Sequence, residues 1–299
     1  MAPSNVDLVR RGYGAITRGH LQVRPMDGAD LDAAAAISAA AFGFDLSGNA
    51  ARELWQARVA YTLDSDPGGC FVAERAGRVI GAAQAMRRER LWCLSLFAVA
   101  PHAQGTGAGR ALIERALSYE DGTDAGLIVS SNDSRALRLY ARAGFSLRPA
   151  FDAEGPVDRR ALPRADPRVR EAASADLEAL AAISRDVRGA PHTAEVRFAM
   201  SRGARLLALE QRGFAVVQPG YGVWLLAARD EGTATALLWS ALGLSGVAER
   251  AAVRWIVGGQ DWAIKVVVEA GLRLTAAGAL CVRGAPGPLH PFVPSGPFA

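Results

Sequence analysis

The stretch Val99-Ala100-Pro101-His102-Ala103-Gln104-Gly105-Thr106-Gly107-Ala108-Gly109-Arg110 carries the most chemistry per residue in the chain. An apolar run ends, a proline blocks its continuation, and three alternating glycines lead into a helical pattern. Without side chains in the way, several backbone N–H groups can converge on one anion, and the helix N-terminus adds its positive end. Such a segment reads as a pyrophosphate cradle built from backbone. The plainer reading is a glycine-rich turn between a strand and a helix.

Two familiar phosphate loops do not fit. A G-x-G-x-x-G fingerprint counted from Gly105 puts its third glycine at Arg110, too large for close helix–strand packing. A Walker loop needs Gly-Lys, and Lys265 is the sole lysine of the 299 residues. The balance of 34 Lys+Arg against 30 Asp+Glu leaves a net charge of +4, spread along the chain. That suits an anionic ligand, but it is too weak for nucleic acid and comes with no aromatic-plus-basic stripe. No apolar run reaches the length of a membrane span, and residues 1–20 lack the apolar core of a signal peptide. Cys70, Cys93 and Cys281 are odd in number and far apart, so neither a disulfide framework nor a zinc site is expected. They read as reduced thiols of a cytoplasmic protein.

The elements that must position the loop follow from hydrophobic period and turn residues. Short strands are expected over 21–26, 70–74, 78–86, 91–99, 126–130 and 145–151, with a hairpin at Ala76-Gly77. Helices are expected from Ala29 or Asp30 to Phe42, over 51–63 and 109–119, and from a Ser134 cap to Gly144. The pattern then begins again. Residues 23–38 match residues 169–184 at an offset of 146, with ten of sixteen identical. Phe71–Gly81 echoes Leu207–Val217, pairing Glu74 with Glu210 and Gly77 with Gly213. Ala136–Phe145 echoes Ala263–Leu272. Three matches in one order predict a duplication joined at the charged, Pro-bearing stretch 152–168. The expected fold class is α/β, an α+β mixed sheet: two tandem domains, each a mostly antiparallel sheet flanked by helices. The expected parts are an N-terminal extension (1–19), a first domain (20–155), a second (156–283) and a Pro-rich tail (284–299).

At this point the sequence resembles the GNAT superfamily of acyl-CoA-dependent N-acyltransferases. Its Q/R-x-x-G-x-G/A signature, after a strand ending V-x-P, is matched by Val99-Ala100-Pro101 and Gln104 to Gly109. A second block, A-x-x-L-Y-x-x-x-G-F, is matched by Ala136 to Phe145. The two blocks stand in the family's order and the resemblance covers about residues 20 to 151. It implies acetyl-CoA as co-substrate, no metal, and a small-molecule amine as acceptor.

Residue by residue, the resemblance implies that Gly105, Gly107 and Gly109 hold the pyrophosphate. Gln104, Thr106, Ala108 and Arg110 complete that loop. Phe97 and Val99 present strand-edge backbone to the pantetheine arm and acyl carbonyl. Asn132 or Ser134 bonds the pantetheine, although the family's usual asparagine falls where this chain has Asp133. Tyr140 protonates the departing thiolate; its other reading is a helix aromatic packed on the core. Glu89 is one candidate base, if the strand at 91–99 extends that far, against a solvated hairpin charge. Phe42, Phe44 and Trp55 either shape the acceptor pocket or pack in the core.

In the second copy, Arg229 to Ala234 falls on the loop position. Two of the glycines are missing, two carboxylates would face a pyrophosphate, and Val267 replaces Tyr140. A degenerate copy is expected, walling the acceptor site or forming an oligomer interface such as a homodimer. The tail has five prolines, no charged side chain, and the apolar Leu289, Phe292, Val293 and Phe298. It is expected to fold back and bring Phe298 and the Ala299 carboxylate to the acceptor pocket. This resembles tandem GNAT aminoglycoside acetyltransferases of the intracellular-survival type, in which a terminal carboxylate serves catalysis. Two alternatives stand beside the enzyme reading. One is a mycothiol-synthase-like tandem, which would carry its working motif in the second half rather than the first. The other is a non-catalytic acyl-CoA sensor or scaffold, which would not need Tyr140.

Overall fold

The computed structural model describes residues 19–44, 48–246 and 250–299. The expected extension 1–19 therefore lies almost wholly outside the described residues. β1 (Leu21–Pro25) leads through a 3-10 turn at Gly28–Asp30 into α1 (Leu31–Phe42). Arg24 on β1 grips Asp30 with both terminal nitrogens, at 2.7 and 2.8 Å. Asp30 also accepts from the Asp27 N–H at 3.0 Å, which fixes the helix entry. Next come α2 (Asn49–Ser65), β2 (Cys70–Arg75) and β3 (Arg78–Arg88). Ala76 and Gly77 between these strands have φ of 51° and 72°. Two positive φ values in a two-residue loop match the right-handed twist of the hairpin. β4 (Leu91–Val99), α3 (Ala108–Leu117), β5 (Ala125–Ser131), α4 (Ser134–Arg142) and β6 (Ser146–Pro156) follow.

The same series of element types then recurs. β7 (Val169–Ala172), α5 (Leu177–Arg188), α6 (Thr193–Ser201), β8 (Arg205–Leu209), β9 (Gly213–Gln218) and β10 (Gly222–Ala228) come first. α7 (Glu231–Gly243), β11 (Arg250–Val257), α8 (Asp261–Glu269) and β12 (Arg273–Gly284) complete it, and the short β13 (Phe292–Val293) lies in the tail. The non-alanine letters of the first sequence match have a physical job. Arg170 grips Asp176 at 2.6 and 3.2 Å, and Asp176 accepts from the Ala173 N–H at 2.8 Å, as Arg24, Asp30 and Asp27 do 146 positions earlier.

The third match holds at the same depth. Phe145 N–H returns to the Tyr140 carbonyl at 3.1 Å, and Leu272 N–H to Val267 at 2.9 Å. Each follows a left-handed glycine, Gly144 or Gly271. One pairing needs correction. Glu74 lies within β2, whereas Glu210 sits in the β8–β9 turn with φ 49°. The turn residue Ala76 is its conformational counterpart, so the shared glutamates are a coincidence of letters.

Two compact units emerge. The first joins residues up to 87 with 94–122, and the second joins 88–93 with 123–299. β4 contributes residues to both. In the first unit the strand order is β1-β2-β3-β4, with a core of Met26, Val59, Val72, Ala82 and Leu96. In the second it is β5-β12-β6-β11-β10-β9-β8-β7, and a core including Leu226, Leu237, Leu242 and Val253 lies under α7 and α8.

The central order β5-β12-β6-β11 is an exchange. β12, the last strand of the second series, runs antiparallel to β5 and β6 of the first. In return β6 runs antiparallel to β11. Each series therefore ends on a strand lodged in the other's sheet. This explains why the compact units do not divide at the 152–168 stretch.

Gly278 sits where β12 shifts register against β6 and meets β5. A Cβ there would lie 2.0 Å from the Ser130 carbonyl oxygen. Glycine is required where another backbone approaches this closely. Gly278→Val is expected to cost about 3 kcal/mol or more, read as a lowered urea midpoint.

Candidate functional site

The glycine segment belongs wholly to the first unit. After β4, Ala100 N–H returns to the Ile80 carbonyl at 2.9 Å, and Pro101–Ala103 forms one 3-10 turn. Gln104 Nε2 reaches back to the Val99 carbonyl at 3.1 Å. Thr106 Oγ1 donates to Ala103 at 2.6 Å, and Arg75 Nη2 to the Thr106 carbonyl at 3.3 Å. Gln104 and Thr106 thus brace the loop from inside. Gly105 and Gly107 have φ of 76° and 91°, in the left-handed region, and a Cβ on either would meet nothing within 4 Å. Both therefore face open space. A Cβ on Gly109 would touch Phe97 at 3.5 Å and Val99 at 3.7 Å, so the start of α3 packs against that end of β4. Ala108 is buried. The Arg110 side chain points into solvent and pairs along the helix with Glu114 at 2.8 Å.

No side chain caps the N-terminus of α3. Its leading amides need acceptors from outside the helix, and the loop in front is open. This is the electrostatic and steric condition for binding a phosphate anion. The residues present fit that group.

The corresponding point in the second series is built the other way. Only Arg229 and Asp230 separate β10 from α7, so no loop exists there. Asp230 caps α7, accepting from Thr233 N–H and Oγ1, each at 2.8 Å. Arg212 holds the same carboxylate at 2.8 Å. A built-in anion already occupies the place of a ligand. Moreover, β10 and β11 pair in parallel only at Val223 and Val253 and then separate. The tail strand β13 enters that gap and pairs with β10, Val293 opposite Leu226 and Phe292 opposite Ala227. Ala228 N–H donates to the Pro291 carbonyl at 3.2 Å.

Of the remaining expected residues, Phe42, Phe44 and Trp55 lie in the first unit, and Glu89, Asn132, Ser134, Tyr140 and Ala299 in the second. Tyr140 is buried on α4, and burial pushes its phenol well above the ordinary range, so it is protonated at physiological pH. The cap of α4 is Asp133 rather than Ser134. Its carboxylate accepts from the N–H groups of Arg135 (2.8 Å) and Ala136 (3.4 Å). Asparagine and aspartate serve equally as caps, which accounts for the residue found there. Ser134 is the first helical residue, and Asn132 is exposed just ahead of it. Glu89 is not on a strand, since β4 begins at Leu91. It turns the chain with φ 52° and pairs with Arg185 at 2.7 Å.

The Ala299 carbonyl oxygen is buried and accepts from Arg188, and from the Cys93 thiol at 3.0 Å. Arg188 is itself fully buried and also donates to Phe298, Ala190 and Pro191. Phe298 packs edge-on to Trp224 and Phe198. The tail is thus a folded part of the second unit, and its last two carbonyls are buried acceptors of the Arg188 guanidinium.

Sequence reading missed two arginines, Arg188 and Arg58. Arg58 lies on the inward stripe of α2 with Val59 and Thr62. Its signal was a charged residue at a core position of the helical period.

Residues 66–147 match the family model of the acetyltransferase (GNAT) domain. Over these residues the chain is similar to a GNAT domain. Over 86 residues, 27% of this chain, it is 36% identical to a mycothiol acetyltransferase of Streptomyces bingchenggensis, and the match spans 28% of that protein. A putative acetyltransferase from Pyrococcus horikoshii shares the fold across 94% of this chain and 95% of its own, with a TM-score of 0.76 at 19% identity. A GCN5-related N-acetyltransferase from Kribbella flavida covers 89% of this chain and 72% of its own, with a TM-score of 0.60 at 18% identity. The glycine loop, α3 and Tyr140 all fall inside the matched residues 66–147. Among the described residues no helix is long and apolar enough to cross a membrane, and no group of three or more His, Cys, Asp or Glu side chains is placed to hold a metal.

Two expectations follow. Asp133→Ala should cost about 1 kcal/mol of stability at neutral pH. Arg135 holds the Asp133 carboxyl down at about 2, below its ordinary 3.8. Its contribution is therefore complete above about pH 4 and fades as pH falls toward 2, so the gap between variant and parent should close over that window. Deleting residues 290–299 takes from the buried Arg188 guanidinium its carbonyl acceptors at Phe298 and Ala299. A loss of about 1–3 kcal/mol or more is expected in urea unfolding.

Proposed function

We propose that the protein is an acetyl-CoA-dependent N-acetyltransferase acting on the primary amine of a small molecule by direct attack. The observation that carries the reading is the uncapped N-terminus of α3 behind an open glycine loop. The acid-capped, tail-filled counterpart at α7 is its internal control. In this reading Gly105, Gly107 and Gly109 offer backbone N–H groups to the coenzyme A pyrophosphate. Phe97 and Val99 offer strand-edge backbone to the pantetheine arm, and their amides stabilise the developing oxyanion.

The acceptor nitrogen bonds to the acetyl carbon, the carbon–sulfur bond breaks, and the thiolate takes a proton. Tyr140 is the donor: a raised pKa keeps its proton in place until a strongly basic thiolate appears. The amine proton passes to solvent, because Glu89 is held in an ion pair and the Ala299 oxygen is a buried acceptor of Arg188. The series from β7 to β12 is a second GNAT-like copy without coenzyme binding, given over to completing the sheet and anchoring the tail. The likeness to mycothiol acetyltransferases spans 28% of their length and supports the transfer chemistry rather than an acceptor.

Tyr140→Phe tests the assignment. Coenzyme A binding, followed by calorimetry, should persist, while turnover of acetyl-CoA with an amine panel should fall by about 10²- to 10⁴-fold. Undiminished turnover would return Tyr140 to a packing role. A parent protein that binds coenzyme A and acetylates nothing would be the sensor instead.

A further inference from the structure

Charged side chains in protein interiors come with partners, because desolvating a lone ion is costly. The first unit follows this rule at Arg24, which has both Asp30 and Glu74. It breaks the rule at Arg58. That guanidinium is 7% exposed. Nη1 donates to the Ser95 carbonyl at 3.2 Å and the Ser95 hydroxyl at 3.4 Å, and the group stacks 4.3 Å from the Trp55 ring. Nε and Nη2 are buried with no hydrogen-bond partner among the described residues. Among the described residues no carboxylate acts on the group; burial alone pulls it down to about 10, so it is a cation at physiological pH.

The geometry of the vacant edge is informative. Nε–H and Nη2–H point the same way from one plane and form the fork that takes a carboxylate in two parallel bonds. The position is informative as well. Ser95 lies on β4 two residues before Phe97, on the same face of the strand. Trp55, which stacks on Arg58, meets Phe44 at 5.1 Å and Phe42 at 6.5 Å, and both phenylalanines are exposed. An apolar rim thus adjoins a buried cation lacking its anion.

We infer that the acceptor is an amino acid-like amine whose free carboxylate docks on the Nε–Nη2 edge of Arg58, with an apolar side chain against Phe42, Phe44 and Trp55. This rests on the acetyltransferase reading and narrows it. Polyamines and aminoglycosides, which bring more positive charge, are the wrong class for a site whose uncompensated charge is already positive. The fork is closed to solvent, so the carboxylate enters as the covering side chains move aside.

The experiment is a matched panel under acetyl-CoA, read by thiol release. It contains phenylalanine and leucine, their decarboxylated amines phenethylamine and isopentylamine, spermidine, and an aminoglycoside. The parent should show a KM for the amino acids lower than for their decarboxylated partners by on the order of 10- to 100-fold. Arg58→Met should abolish that gap by raising the amino acid KM while leaving the decarboxylated amines unchanged. Arg58→Lys should keep part of it.

A purely structural Arg58 would shift both members of each pair alike, and that outcome overturns the inference. So does a parent that prefers spermidine or the aminoglycoside. A melting temperature for Arg58→Met at or above the parent's shows that the fold is kept, since a buried unpaired charge has been replaced by an apolar chain. Should that variant melt lower, Arg58→Lys against the parent decides. Turnover of some amines without a carboxylate preference overturns this inference alone, whereas turnover of none overturns the acetyltransferase reading as well.

Discussion

A backbone amide that finds no acceptor inside its own helix or sheet must find one elsewhere, and this molecule is organised around three answers to that demand. At α3 the amides are left open behind side-chain-free glycines. At α7 a carboxylate of the chain itself closes them. Along β10 a piece of the tail supplies the missing strand where β10 and β11 part. The first answer leaves room for a ligand, and the other two remove it. One repeated series of elements thereby yields one receptive place and one sealed place, through a few residues at each helix start and a sixteen-residue extension.

Charge follows the same logic. Arg24 and Arg170 are each locked to an aspartate six residues on, and so fix the entry to the first helix of each series. Arg188 is turned onto the backbone carbonyls of Phe298 and Ala299 in the tail. Arg58 stands apart with a full charge, a stacked aromatic and two unanswered N–H groups. Its burial is tolerable only because Ser95 and Trp55 share the load, and a bound anion would relieve the rest.

Much of this was legible in the residues. β4 runs over the residues its apolar run predicted, and Ala76-Gly77 makes the expected turn. Strand and helix identities were readable because glycines and prolines mark the ends of strongly periodic segments. The offset of 146 was legible because Arg and Asp at that spacing do the same work twice. Other features were hidden for definite reasons. The cap at Asp133 was misplaced by one residue because serine and aspartate serve equally well at a helix start. Glu89 was legible only as a strand end or a hairpin charge, because nothing local announces that a glutamate will take a positive φ; it is the hairpin residue. The Arg188–Ala299 pair spans more than a hundred residues, and the exchange of β6 and β12 leaves no local mark, since each strand reads the same in either sheet. Such features are settled by partners rather than by spacing.

The exchange of final strands has a bearing on how the chain is made. When a ribosome has finished β6, the slot beside β5 is still empty, because its occupant lies more than a hundred residues ahead. The first series must wait with an unpaired edge through synthesis of the second. An exposed edge is an invitation to pair with whatever strand arrives first, including one from a neighbouring nascent chain. The stretch between β6 and β7 is consequently a seam in sequence alone: a gene cut there would deliver two fragments, each lacking a strand the other holds. Without the second series, the first would lack the strand that lies between β5 and β6.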